Sequence, residues 1–164
     1  MSSQAVETVT LGTQVTTAFP IIGPTGGNFP NGTPATAMVT VIIINGQPPV
    51  ENSATLPLNS WIVDPLGEYV LVFDSTGVCL YQVIGTQGTL QNGGSFTGMP
   101  LWGPFGAHGR YFCAQNDGNL VVYNAQGTAI WSNGSKGAAQ LLCLQSDSNL
   151  VLYQLQGNWS RIGG

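Results

Sequence analysis

Three copies of one thirteen-residue unit constrain this chain more than any other feature: YVLVFDSTGVCLY (Tyr69–Tyr81), YFCAQNDGNLVVY (Tyr111–Tyr123) and LLCLQSDSNLVLY (Leu141–Tyr153). Repeats decide architecture, because one unit cannot bury its apolar face without its neighbours. The second and third copies lie thirty residues apart, and the first begins forty-two residues before the second because QVIGTQGTLQNGGSFTGMP lengthens the connection. Each copy runs on to a tryptophan: Trp102, Trp131 and Trp159. The segments are short, β-prone and bounded by Gly, Asn or Asp, and no stretch carries a helical pattern. The class is all-β.

The repeated polar letters make sense only if each unit folds back on itself. A straight strand rises about 3.4 Å per residue, which would hold Gln115 and Tyr123 roughly 27 Å apart, too far to share a small ligand. Asp117-Gly118 and Asp147-Ser148 are turn signals between apolar alternations. A three-residue Asp-x-Asn loop, with Asn in a left-handed conformation, closes such a hairpin. That loop sets Gln115 opposite Val121 and Cys113 opposite Tyr123 on one face, and sends Phe112, Ala114, Leu120 and Val122 to the other. A two-residue loop would instead part Gln115 from Val121. The same rule gives Leu142, Leu144, Leu150 and Leu152 as a core face in the third copy, and Val70, Val72, Val78 and Leu80 in the first.

The core face is kept in three copies and the polar face in two. Where the second and third copies have Gln, Asp, Asn and Val, the first has Phe73, Ser75, Gly77 and Cys79. A polar set required by the fold would recur in all three. Turn capping accounts for Asp and Asn, but leaves Gln, Val and Tyr recurring in phase without a reason. Gln both donates and accepts, Asp accepts, Asn does both, and Tyr adds a hydroxyl beside a small apolar Val. These groups suit a neutral polyol.

The pattern Q-x-D-x-N-x-V-x-Y, intact as QNDGNLVVY and QSDSNLVLY, resembles the site motif of the bulb-type, or monocot mannose-binding, lectins. The resemblance covers about residues 52–164 and implies a β-prism II fold: three four-stranded antiparallel sheets with pseudo-threefold symmetry and three tryptophans near the axis. Trp102, Trp131 and Trp159 are the candidates, with Trp61 left unplaced. It further implies that Asp and Asn meet the 2-hydroxyl of mannose, Gln the 3-hydroxyl and Tyr the 4-hydroxyl, while Val lies against the ring carbons. Carried over, the carbohydrate-binding residues are Gln115, Asp117, Asn119, Val121 and Tyr123 in one site, and Gln145, Asp147, Asn149, Val151 and Tyr153 in the other. Plant members usually have a disulfide with one Cys between the motif Asp and Asn of the first unit; Thr76 stands there, so that bridge is absent. The first copy keeps only Tyr81 of the motif and is expected to hold no sugar.

Residues 1–51 match nothing in that family and read as an N-terminal extension, or arm, preceding a lectin domain at 52–164. Strands are expected around Glu7–Thr17 and Ala37–Asn45, separated by the turn-rich FPIIGPTGGNFPNGTP. The arm should dock on its own domain or on a neighbour. It would there cover the apolar patch that the first copy offers at Tyr69, Leu71, Phe73, Cys79 and Tyr81.

Composition closes off other classes. Charged residues are 6% of the 164, the net charge is -4, and Arg110, Lys136 and Arg161 are the only Lys or Arg residues. With no basic stripe to neutralise phosphates, nucleic acid is excluded as a partner. The longest apolar run, Val41–Ile44, is far short of the roughly 20 residues of a spanning helix, so no membrane insertion is expected. Cys79, Cys113 and Cys143 are odd in number with no CxxC pair, which argues against a disulfide framework or a zinc site. No cofactor is expected. The lone His108 serves no Ser/His/Asp or Cys/His arrangement, and Asp117 and Asp147 belong to separate copies of the motif, so the reading is non-enzymatic. MSSQAVETVT has no basic and apolar leader pattern; the expectation is a cytoplasmic protein, or one exported by a non-classical route that acts extracellularly.

The leading expectation is a mannose-type lectin with two intact sites and one degenerate one, acting multivalently on mannose or mannose-containing glycans. It would be a homo-oligomer joined through the C-terminal strand, around NWSRIGG, or through the arm. The alternative is a self-assembling structural protein, a filament or oligomer subunit with incidental sugar sites, which the low charge favours because uncharged surfaces associate readily.

Overall fold

The alternating segments fold as strands. A computed structural model describes residues 5–22, 38–44, 53–85 and 90–154, and among these residues there are fourteen strands and no helix. β1 (Glu7–Thr10), β2 (Thr13–Gln14), β3 (Phe19–Ile22) and β4 (Met38–Ile43) come first, followed by β5 (Ser53–Pro57) and β6 (Ser60–Val63). The repeats are hairpins: β7 (Tyr69–Asp74) with β8 (Gly77–Val83), β10 (Tyr111–Gln115) with β11 (Leu120–Tyr123), and β13 (Leu141–Gln145) with β14 (Leu150–Tyr153). β9 (Ser95–Phe105) and β12 (Ala129–Ser132) follow the first two hairpins.

Each hairpin belongs to its own sheet, where it is central in the first two, and in the third, among the described residues, β14 forms an edge. The first sheet runs β6-β7-β8-β9, with β2 added beside β6 and β1 beside β9; the second runs β5-β10-β11-β12; the third runs β3-β4-β13-β14. Residues ahead of Asn52 therefore enter two of the three sheets: β1 lies antiparallel to β9, β2 parallel to β6, and β4 antiparallel to β13. Three sheets of at least four strands, one per repeat, form a β-prism II.

One core joins the three sheets. The first sheet contributes Ile62, Leu71, Phe73, Val78 and Leu80, the second Leu56, Phe112, Leu120 and Val122, and the third Ile42, Leu142 and Leu144. Burying such side chains stabilises by roughly 1.5–3 kcal/mol each. Trp102 and Trp131 meet edge-to-face with ring centroids 5.8 Å apart, and Phe105 stacks on Trp131 at 4.9 Å. Trp159 lies outside the described residues, as does the C-terminal segment NWSRIGG.

The register differs from the expected one in two ways. β10 and β11 pair Cys113 with Val121 and Phe112 with Val122, and β13 and β14 pair Cys143 with Val151. This is two residues away from a Gln115–Val121 pairing. An even offset leaves the faces unchanged. The loop is Asn116-Asp117-Gly118, closed by Gln115 N–H donating to the Asn119 carbonyl at 2.9 Å. Gly118, at φ 86°, is the left-handed residue instead of Asn119, and a Cβ on it would stand 2.2 Å from the Gly137 carbonyl oxygen. Only glycine meets both demands. Ser148 occupies the same place in the third copy, at φ 79°.

In the first copy Asp74 pairs with Gly77, so its loop, Ser75-Thr76, is one residue shorter. A one-residue change reverses the faces of one strand relative to the other. Leu71 and Phe73 therefore enter the core, while Val70 and Val72 turn outward. This corrects the expectation that Val70 and Val72 are core residues and that Leu71 and Phe73 belong to an outer patch. Val78 and Leu80 point inward and Cys79 and Tyr81 outward, as the alternation predicts. The outward cluster of Val70, Val72, Cys79, Tyr81, Trp61 and Phe96 is covered by Val9 and Leu11 of the arm. Trp61 Nε1 donates to the Gly12 carbonyl at 3.1 Å, and the Tyr81 hydroxyl donates to Glu7 Oε1 at 2.9 Å.

Candidate functional site

In the second repeat, strand alternation puts Gln115, Val121 and Tyr123 on the outer face of the sheet, and the turn brings Asp117 and Asn119 to one end of that row. The amide nitrogen of Gln115 donates to the Tyr123 hydroxyl oxygen. Asp117, exposed, accepts the Asn119 N–H at 3.0 Å through Oδ1. Asn119 Oδ1 accepts from Gly134 N–H at 3.1 Å and from Ser132 Oγ at 3.3 Å. With its oxygen held in this way, the side chain of Asn119 has its amide N–H groups left to donate. The segment after Trp131 braces the turn from behind. Ser135 Oγ donates to the Gly118 carbonyl, Gly137 N–H to the Asp117 carbonyl at 3.0 Å, and Ala139 N–H to the Asn116 carbonyl at 3.0 Å. Gln115, Asn119 and Tyr123 are half-buried around a buried Val121. The result is an open row of donors and acceptors beside one apolar spot.

In the third repeat the same letters are arranged differently. Gln145 is 1% exposed and Tyr153 7%, and they share their outer face with Cys143 and with Val39 and Val41 of β4, all buried. The Tyr153 hydroxyl donates to Gln145 Oε1, and Gln145 Nε2 donates to Asp147 Oδ1 at 3.1 Å and Oδ2 at 3.2 Å. Asp147 Oδ1 also accepts Asn149 N–H at 3.1 Å. The turn is tied down next to it: Ser146 N–H donates to the Met38 carbonyl at 2.9 Å, and Ser146 Oγ to Asp64 Oδ2 at 2.7 Å. Asp64 is itself buried and accepts the N–H groups of Leu66, Glu68 and Tyr69.

The first repeat retains Tyr81, whose hydroxyl is taken by Glu7 of the arm. Glu7 and the bracing residues Ser132, Gly134 and Ser135 are participants the motif does not announce. The only sequence signal for the bracing residues is the turn-prone Ser-Asn-Gly-Ser run directly after Trp131. All three cysteines are free and buried. Burial holds their thiols protonated, pushing Cys79 up to about 11 and Cys143 to about 12, with Cys113 raised for the same reason. Among the described residues no three His, Cys, Asp or Glu side chains converge as a metal site would require.

No protein-family model and no curated protein matches this sequence. Among solved structures, the mannose-specific agglutinin from snowdrop (Galanthus nivalis) bulbs, complexed with methyl-α-D-mannoside, is similar at 24% identity and a TM-score of 0.50. The match covers 76% of this chain and 96% of that one. The Japanese Marasmius oreades lectin is similar at 22% identity and a TM-score of 0.49, over 66% of this chain and 82% of that one. At 24% identity the likeness to the snowdrop agglutinin is one of fold, and the fold is that of β-prism II lectins.

Proposed function

We propose that the protein is a carbohydrate-binding lectin of the mannose type, and not an enzyme. One observation carries the reading. Gln115, Asp117, Asn119, Val121 and Tyr123 form an open row on the second hairpin, while the first hairpin builds the same core without such a set. A set that the fold can do without is a set kept for a ligand. In this reading Asp117 and Asn119 hold one hydroxyl, Gln115 and Tyr123 the next two, and Val121 lies under the ring carbons; Gln145, Asp147, Asn149, Val151 and Tyr153 carry the same letters, with Gln145 and Tyr153 buried. The snowdrop agglutinin with the same fold is mannose-specific by description, which supports a hexose with an axial 2-hydroxyl as the first ligand to test.

An open row of neutral polar groups holds one sugar weakly, so useful avidity requires several sites on one particle. Linking sites raises apparent affinity by about 10² to 10⁴ without new contacts. We therefore propose a homo-oligomer acting on mannose-containing glycans. Self-assembly as the main function has one supporting observation, the 6% charged content. Chromatography separates the two readings. The lectin reading predicts retention on mannose-agarose, elution by free methyl mannoside and no retention of Asp117→Ala. Passage of the intact protein straight through the column, together with large particles in light scattering, would favour assembly.

A further inference from the structure

We infer that the second repeat is the single sugar site of each chain, and that the third repeat's copy of the motif is a buried polar cluster closed on itself beside β4; this rests on the carbohydrate reading above. The two copies are equal in letters and unequal in access. A hexose on the third copy would have to reach Gln145 and Tyr153, which are 1% and 7% exposed. The polar atoms it needs are already used within the motif: Gln145 Oε1 by the Tyr153 hydroxyl, and Gln145 Nε2 by both oxygens of Asp147. A ligand there would replace internal hydrogen bonds with its own and gain little. In the second copy no described residue takes Gln115 Oε1 or Asp117 Oδ2, and Gln115 and Tyr123 stand half-exposed.

The neighbouring strands agree with this division. Gln115 and Cys113 lie opposite Ser53 and Thr55 of β5, which carry hydroxyls, so the open site has a polar border. Gln145 and Cys143 lie opposite Val39 and Val41 of β4, which wall in the closed copy. Ser146 then ties the third turn to Met38 on β4 and to Asp64 beside the first sheet. Hydrogen-bonding capacity that faces a ligand in one repeat is spent within the motif itself in the other.

Calorimetric titration of the full chain with methyl α-D-mannopyranoside tests this directly. The expected result is one site per chain, and loss of at least ten-fold in affinity, with no residual site, in both Asp117→Ala and Tyr123→Phe. Two sites per chain, or one site surviving in Asp117→Ala, would overturn the inference. An intact protein that binds neither this mannoside nor other hexoses would overturn the carbohydrate reading along with it, and is told apart by showing no site at all. A second readout needs no sugar: nitration by tetranitromethane, mapped by mass spectrometry, should label Tyr123 in the native protein and spare Tyr153 until unfolding. Equal labelling of the two would contradict the closed third copy.

Discussion

Gln115 and Gln145 are the same residue at the same place in the same motif, yet one borders solvent and the other is sealed. The difference gives opposite expectations for their tyrosine partners. Tyr153→Phe removes the donor to Gln145 Oε1 and leaves a buried acceptor unmatched, so urea unfolding should show a loss of about 1–3 kcal/mol. Tyr123→Phe, at a half-exposed site, should cost no more than about 1 kcal/mol of stability while weakening sugar binding. The cysteines make a further residue-level prediction. Their folded thiols titrate well above the ordinary value of 9.0, near 11 for Cys79 and 12 for Cys143, because burial disfavours the thiolate. Burial raises Tyr81 in the same direction. Above pH 9 the unfolded chain gives up these protons while the folded one keeps them, so the unfolded state binds fewer and stability falls as pH rises from about 9 toward 11. The urea midpoint should decline over that window, and a Cys79→Ala, Cys143→Ala variant should flatten the decline. The motif letters are legible in the sequence; whether Gln145 sees solvent is not, because that depends on Val39 and Val41, which reach it from a distant strand.

Among the elements, the turns decide most. The two intact hairpins close on a left-handed third loop residue, Gly118 in one and Ser148 in the other. A non-glycine residue in that region is strained by roughly 1–2 kcal/mol, so Ser148→Gly should raise the thermal midpoint. Gly118→Ala should lower it by more than Gly127→Ala does. Both are left-handed, but a Cβ at 118 would stand 2.2 Å from the Gly137 carbonyl oxygen, whereas at 127 nothing lies within 4 Å. Apolar alternation made the core faces of the second and third hairpins legible from Phe112, Ala114 and the four leucines. It misled on β7 because Tyr69–Asp74 is apolar on both faces, and the missing loop residue that reverses the strand leaves no mark in such a run.

At the scale of the whole molecule, the arm completes the structure. β1 and β2 lie along the edges of the first sheet, and Val9 and Leu11 seal an apolar face on the hairpin that has lost the sugar motif. A chain shortened by its first 17 residues should expose Trp61, Val70 and Val72 and associate, which light scattering would detect; a truncated chain that stays dispersed would refute this role. That three β units pack together was legible from the repeats, since each needs neighbours to bury its face, and the prism is what the motif's resemblance implied. The partner of β4 was not: an apolar strand such as Met38–Ile43 suits any of three similar sheet edges, and its choice of β13 is a matter of tertiary fit.

The position of Trp61 makes arm docking optically visible. Its indole is 1% exposed and hydrogen-bonded to Gly12 in the arm, while Trp102 and Trp131 remain half-exposed. Release of the arm would move Trp61 from an apolar surround into water and shift its emission to the red, so intrinsic fluorescence reports whether the arm is in place without any added label.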